Sequence, residues 1–523
     1  MPLISAAMVR PRHGVQHADP LLADSRQYSF PLSHFQVHRR RNAAIGIFRD
    51  VEQLENYRAP FPKGETEMYN LKKSLIAFVG MHCNRSIPAL LIGLAIVMMT
   101  CAVSQATPTL PPGNTVQQWN TIAENTVVGS GAFQAEGFIY MAYVSAAMYD
   151  AVVSIEGGYE PYSSVIPDAS GASTDAAVVE AAYRTLINYF PSQGAMLDSF
   201  YAQALALIPD GALKTAGQGV GLAAATNIIN LRIGDGRLTP IGVTSSFFTL
   251  SPGRGMWRLT PPAFAPPQTP WVGSVLPFIL KNADQFLPDP PPSLQSSEWV
   301  EAFNQIRTYG EANSSARTSE QTAVARFWSA NVVRQYNRLV RDVAEQQDLG
   351  LLQTARLTAM VNTIGADALI SCLFTKYHYL FWRPVTAIDP TAVTADGFGP
   401  IPGYDDANAA TVEQFAWRPL LVTPNHPEYP AAHGTITSAM AEVFSSFLGT
   451  ERFDLDIHGF DAAAPAGNLN AVHHFEMPND LRNEIIYARL WAGLHYHFSS
   501  VAGVVLGRNV AKYDLSHAFR PLN

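Results

Sequence analysis

Apolar residues recur at helical spacing along most of this chain, and two long Pro-rich stretches interrupt them; that alternation is what most restricts the fold. From about Asn114 to Val153 the pattern runs through Phe138, Met141, Ala142, Ala146, Tyr149 and Val152. Ala176–Tyr189, Ala195–Leu207 and Ala212–Gly234 continue it, each bounded by Pro, Gly or Asp. Between Gly236 and Ser297 the prolines at 261–262, 266–267, 288 and 290–292 forbid sustained helix, because proline has no N–H to donate and its ring clashes with the preceding turn. Periodicity resumes over Glu298–Tyr309, Glu320–Ala330, Val333–Gln346 and Leu351–Phe381, then breaks from Pro384 to Pro430. Two last helices are expected at about His433–Phe447 and Leu481–Leu506. There is no strand-rich block and no short repeat. The expected fold is all-α, with two helical bundles, 107–235 and 298–523, packed as one globular unit around the Pro-rich connection 236–297. Long ordered loops in such a protein build the rim of a site.

The first hundred residues read differently. Met81-His82-Cys83-Asn84-Arg85 is a short cationic start, Ile87–Val103 an almost unbroken apolar run, and Ser104-Gln105-Ala106 a small-residue end, which together predict a secretory signal over 81–106 and export of the rest. Residues 1–80 are then an extension upstream of the true start at Met81. A single membrane anchor is the alternative, but the run is short for a bilayer. Cys83 and Cys101 fall in the leader, so the mature chain keeps only Cys372 and no internal disulfide. The net charge of -8 is unevenly spread: residues 1–86 hold twelve Lys/Arg and seven Asp/Glu, leaving twenty-three bases against thirty-six acids. A surface that acidic repels nucleic acid, so any bound anion needs a local cluster of bases.

Three clues point to such a cluster. Lys376 and Arg383 lie seven residues apart on one predicted helix, almost two turns, among Leu373, Phe374, Tyr377, Leu380 and Trp382; cations buried there need an anion. His426-Pro427-Glu428-Tyr429-Pro430-Ala431-Ala432-His433 runs from loop into helix, placing His433 and the backbone N–H of Ala432 at a helix N-terminus, where free N–H groups favour an oxyanion. Arg489 and His495 sit on a third apolar helix and converge only if the long guanidinium reaches around or Gly493 marks a distortion. His495 and His497 do not share a helix face, which disfavours a divalent metal between them, and His473-His474 reads as surface.

Taken together, this order resembles the vanadium-dependent haloperoxidase and type 2 phosphatidic acid phosphatase superfamily, in its secreted bacterial haloperoxidase-like branch. The family pattern is Lys, six residues, Arg-Pro; a Pro-small-Gly-His turn; then Ser-Arg, five residues, His, three residues, Asp. Here it reads Lys376 to Arg383-Pro384, Pro430-Ala431-Ala432-His433, and Ala488-Arg489 to His495 and Ser499. Ser145–Val152, Gly255-Met256-Trp257-Arg258 and Ala325–Ser329 extend the likeness beyond the pocket. The resemblance implies vanadate as cofactor, its oxygens held by Lys376, Arg383, Arg489 and the Ala432 N–H. It implies His495 as the vanadium ligand and His433 as the acid/base. It also implies hydrogen peroxide, a halide and an organic acceptor as reaction partners, with no nucleic acid and no stable membrane span, and leaves the oligomeric state open. His426, seven residues before His433, stands where bromoperoxidases carry histidine, which implies bromide.

Three positions depart from the pattern: Ala431 replaces a hydrogen-bonding serine, Ser499 replaces the closing aspartate, and Asn331 stands where some relatives place an acid beside a pocket arginine. The same pocket also suits an acid phosphatase with His495 as a phosphohistidine nucleophile. A non-catalytic oxyanion-binding protein is the third reading, carried by Ala431 and Ser499.

Overall fold

The computed structural model describes residues 108–239, 253–389, 391, 405–450, 452–460 and 469–522; the expected leader and the extension before it lie outside them. The fold is all-α. The first expected helix is two, α1 (Thr115–Gly129) and α2 (Gln134–Glu156), separated where Gly131 takes φ +81. Asn114 caps α1 by accepting from the Gln117 N–H while the Gln117 side chain returns to the Asn114 N–H. The helices α3 (Thr174–Tyr189), α4 (Gly194–Ala206) and α5 (Ala212–Leu231) follow. Beyond the Pro-rich stretch come α6 (Ser297–Tyr309), α7 (Ser319–Phe327), α8 (Val332–Gln346) and α9 (Leu351–Tyr379).

The centre of the molecule is the packing of α2 against α9. Both are long and apolar enough to cross a membrane, yet 89% and 94% of their most apolar windows are buried inside the protein, so they are core helices. They approach closely because α9 carries Gly365 at the crossing: a Cβ there would lie 2.6 Å from the Phe138 ring. One hydrophobic core runs from Val116 in α1 to Phe519 near the end of the chain. Each central helix also buries an acid that accepts from loop N–H groups, which have no ladder of their own to join. Asp150 on α2 takes the N–H groups of Tyr162 and Ser163 at 2.6 and 2.9 Å. Asp367 on α9 takes those of Phe278, Ile279 and Leu280 at 2.6, 2.7 and 3.0 Å, which pins the Pro-rich connection to the core.

After α9 the chain forms a single short turn, α10 (Pro384–Ile388), then a long loop, then α11 (Ala432–Leu448). A hairpin not expected from the sequence follows, β1 (Leu455–Gly459) antiparallel to β2 (Ala471–Phe475), with Leu455 opposite Phe475. Short strands with mixed polarity give a weak signal, and His473 and His474 lie on β2. His473 is not simply surface: its ring stacks on Phe327 at 3.7 Å and its Nδ1 lies 2.7 Å from Glu484 Oε1. The expected last helix is also two, α12 (Pro478–Trp491) and α13 (His497–His517), broken where Gly493 takes φ +75.

Helix α13 lies against α11 through two glycines one turn apart. A Cβ on Gly503 would strike the Ala431 carbonyl, and one on Gly507 the Thr435 carbonyl, both fixed main-chain atoms. Gly507→Ala should therefore cost about 1–3 kcal/mol, as overpacking does, whereas Gly219→Ala on exposed α5, where nothing lies within 4 Å, should leave stability unchanged or raise it. Thermal unfolding of the two variants checks this; equal melting temperatures would refute close helix contact at Gly507.

Candidate active site

Lys376 occupies the last turn of α9, which ends at Tyr379 with Leu380 in the left-handed region. Arg383 is therefore not on the same helix, as the spacing suggested: it lies past the turn and forms the N-cap of α10. The Arg-Pro sequence explains this, since a residue before proline is held extended and Pro384 starts a helix without needing an N–H partner. Both side chains are fully buried. Lys376 Nζ donates to the carbonyls of Pro427 and Glu428 at 3.0 and 2.8 Å. Arg383 donates through Nε to the His426 carbonyl and through Nη1 to the Leu494 carbonyl, both at 2.9 Å. Its Nη2 lies 3.0 Å from His426 Nδ1, so His426 belongs to the site.

The break at Gly493 settles how Arg489 and His495 converge. Arg489 ends α12 and His495 lies in the turn before α13, so neither depends on a common helical face. Arg489 is 2% exposed; its Nη1 donates to the Trp328 carbonyl at 3.2 Å, and its buried Nε has no partner among the described residues. Asn331 does not pair with it: the Asn331 side chain caps α8 by accepting from the N–H groups of Val333 and Arg334. His433 is the second residue of α11, and its enclosed Nε2 also has no partner among the described residues. Ala432, the first residue, presents one of the N–H groups that a helix start leaves without an intrahelical acceptor. The N-cap is Ala431, with no side-chain cap, and its N–H donates to the Ser499 carbonyl at 3.1 Å.

Glu428 is the residue the sequence reasoning missed. Its carboxylate Oε1 lies 2.9 Å from His495 Nδ1 and accepts the Tyr496 N–H at 3.1 Å, while its own N–H donates to the Phe381 carbonyl. It holds His495 with Nδ1 protonated, leaving the Nε2 lone pair 3.1 Å from Arg383 Nη1. The carboxylate absent at Ser499 is thus supplied from the loop before α11. The one sequence signal was an acid between two prolines, five residues before His433.

The electrostatics follow from burial. Three cations share this pocket with one carboxylate, so Lys376 is pushed down to about 7, chiefly by burial, with Arg383 adding to the effect. Burial lowers Arg383 to about 10 and, with Arg383 beside it, Arg489 to about 9. Burial raises Glu428 to about 7 against the pull of Lys376 and Arg383. Burial first, then the nearby cations, hold His426, His433 and His495 well below the ordinary histidine range, so all three are neutral. A pocket of under-neutralised cations, unpartnered Arg489 Nε and His433 Nε2, a helix N-terminus and a neutral imidazole lone pair fits a multi-oxygen anion bound also through its central atom. Vanadate satisfies those requirements. His497 takes no part; its ring packs beside Tyr487 with centroids 5.6 Å apart.

The site coincides with a recognisable domain. Residues 356–523 match the family model described as the vanadium chloroperoxidase (VCPO) second helical-bundle domain. A vanadium chloroperoxidase from Curvularia inaequalis is 24% identical over 425 residues, 64% of this chain and 68% of that protein. Among solved structures, one described as the first bacterial vanadium-dependent iodoperoxidase superposes with a TM-score of 0.62 at 20% identity, covering 79% of this chain and 99% of the other. A holo-type bacterial vanadium-dependent chloroperoxidase gives 0.58 at 16% identity over 78% and 98%. All the site residues named above from Lys376 to His495 lie inside the matched domain, and the chain is similar to vanadium haloperoxidases in that domain and in fold.

Proposed function

We propose that this chain is a vanadate-dependent haloperoxidase that uses hydrogen peroxide to oxidise a halide, bromide in preference to chloride, to hypohalous acid. The observation that carries the reading is His495, neutral and held by Glu428 so that its Nε2 lone pair points among three buried cations. In this reading Lys376, Arg383, Arg489 and the Ala432 N–H hold the oxygens of vanadate, and His495 Nε2 binds vanadium. Bound vanadate supplies a Lewis-acidic centre that activates peroxide toward the halide. The cations stabilise negative charge as it grows, in a site dry enough for that stabilisation to be large. His433 Nε2, neutral and unpartnered, accepts a proton from peroxide as it binds and returns one to the leaving oxygen. His426 against Arg383 supports bromide, and the leader-like segment over 81–106 supports export to the periplasm or medium.

A second reading rests on the same pair. Glu428 and His495 form the couple a histidine nucleophile needs, so the pocket would serve an acid phosphatase, with His433 protonating the leaving group. A paired assay on the exported chain separates the two: vanadate-dependent bromination of a dye is expected, and hydrolysis of a phenyl phosphate, inhibited by vanadate, would replace the first reading by the second. Oxyanion binding with neither activity would leave a non-catalytic binding protein.

Two further outcomes are expected. His495→Ala should weaken vanadate binding at least tenfold and abolish turnover, while His433→Ala should leave affinity within a few-fold and slow turnover by about 10²–10⁴; unchanged affinity in His495→Ala contradicts the ligand assignment. Oxyanion affinity should also depend on pH in a fixed direction. With Lys376 near 7 in the free protein, an anion bound above that pH must bring a proton to Lys376, and the ionised Glu428 opposes it too. Sulfate, whose charge is constant from pH 6 to 9, should therefore bind more weakly as pH rises through about 7, approaching tenfold per unit. Calorimetric titration reads this; a flat profile would contradict a charge-poor Lys376 in the free pocket.

A further inference from the structure

Of the three pocket bases, Arg489 is the one whose acceptor comes from outside residues 356–523. Among the described residues it pairs with no acid, and the neighbouring charge that bears on it, Arg383, has its own sign. The acceptor is the Trp328 carbonyl. That carbonyl is available because Trp328 is the C-cap of α7, and the last carbonyls of a helix have no N–H ahead of them to receive. A helix C-terminus also carries partial negative charge, so the end of α7 that meets the guanidinium is the attractive one.

Trp328 is fully buried and bonded twice to α12. Its carbonyl accepts from Arg489, and its indole Nε1 donates to Glu484 Oε1 at 2.7 Å. The two partners lie five residues apart on α12, so Trp328 bridges two positions of that helix. His473 on β2 reaches the same Oε1 with its Nδ1, also at 2.7 Å. A carboxylate only accepts, so the imidazole meets it with Nδ1 protonated. The hairpin grips the preceding residue as well. The His473 ring lies parallel to that of Phe327, 2° apart in plane with centroids 3.7 Å apart, and the Phe460 N–H donates to the Phe327 carbonyl at 3.1 Å. Gly459 allows that approach, since a Cβ there would strike the Phe327 ring.

We infer that Glu484 and His473 are positioning residues for the oxyanion pocket: they fix the Trp328 indole, and through it the carbonyl that aims Arg489. A neutral carbonyl directs a guanidinium without cancelling its charge, whereas a carboxylate in its place would compete with the bound anion. Arg489 Nε, which has no partner among the described residues, is then left for an oxygen of that anion. The inference rests on the proposed function for the anion in the pocket, but not for its halide chemistry.

Calorimetric titration of the full chain with sulfate at pH 6 tests it. Glu484→Leu removes the acceptor that Trp328 and His473 share and should weaken sulfate binding about fivefold or more. Glu484→Gln, whose side-chain carbonyl can accept in the same place, should stay within about twofold of wild type. Trp328→Phe keeps a ring and loses the donor, and it should act like Glu484→Leu; it carries the test should Glu484→Leu fail to fold. A role confined to packing would weaken sulfate by the same factor whatever stands at position 489. In an Arg489→Met background, Glu484→Leu and Trp328→Phe should instead cause less than about twofold further loss. Equal losses in the two backgrounds, or full sulfate affinity in folded Glu484→Leu or Trp328→Phe, would overturn the positioning role. A wild-type chain that binds neither sulfate nor vanadate would overturn the oxyanion pocket and this inference with it. The expected coupling in a chain that oxidises no halide would leave the positioning role standing and overturn the haloperoxidase reading alone.

Discussion

Three cations buried with a single carboxylate set the terms for everything around them. A lysine or arginine removed from water must find hydrogen-bond acceptors at once, and here these are mainly main-chain carbonyls: Pro427 and Glu428 for Lys376, His426 and Leu494 for Arg383, Trp328 for Arg489. Carbonyls within a helix are already engaged, so the acceptors have to come from helix ends and loops. That is why the pocket forms where α9, α12 and the 405–431 loop all terminate, and why each termination is abrupt: Leu380 left-handed, Gly493 at positive φ, Pro384 and Pro427 in the chain. Neutral carbonyls hold the bases in place without discharging them, and the remaining charge is what an oxyanion binds.

The His495–Glu428 contact is the second consequence. An imidazole surrounded by cations would rotate to offer whichever nitrogen suits Arg383, and it would bind nothing reproducibly. Glu428 fixes the ring by its Nδ1, and the neighbouring Tyr496 N–H fixes Glu428. The acid stands in the loop before α11 and not at the start of α13, where Ser499 contributes through its main chain. Its carbonyl receives the Ala431 N–H, and with Gly503 one turn on, it lets α13 seat the start of α11 against the pocket. The glycines at 503 and 507 and the acid at 428 are thus parts of one arrangement, since each helps set where His433 and His495 stand relative to one another.

Much of this was legible in the sequence, for identifiable reasons. The helices α3 to α9 were readable because their apolar periodicity is long and their ends carry Pro, Gly or capping residues, as Ser173 and Thr318 show. The candidate bases and imidazoles stand out in the sequence because of their apolar surroundings, and the structure buries Lys376, Arg383, His426, His433, Arg489 and His495 close enough to shift one another's charge. What spacing could not show was where a helix stops. Seven residues between Lys376 and Arg383 suit two turns of one helix as well as they suit a helix end and an N-cap, and only the left-handed Leu380 decides. Glu428 and the Trp328 carbonyl were invisible for a related reason: their roles come from tertiary contacts across 67 and 161 residues. Asn331 has a role of its own, since an asparagine before an apolar helix is first a cap.

The balance of charge also bears on stability. With no oxyanion, burial of Lys376, Arg383 and Arg489 opposes folding, and the depressed acidities of these groups measure that opposition. The core around α2 and α9 and the loops anchored on Asp150 and Asp367 make contacts that do not involve the pocket's cations, and they hold the scaffold whether or not the pocket is filled. An anion that restores full charge to the three bases stabilises the native state in proportion to its affinity. Stability and function therefore meet at one place: the loop from His426 to Ala431 supplies the carbonyls for two cations, the acid for His495 and the N-cap of the helix that carries His433. A change anywhere in those six residues moves His495 and His433 together, which is why the pocket's geometry is decided by a loop and not by the helices that frame it.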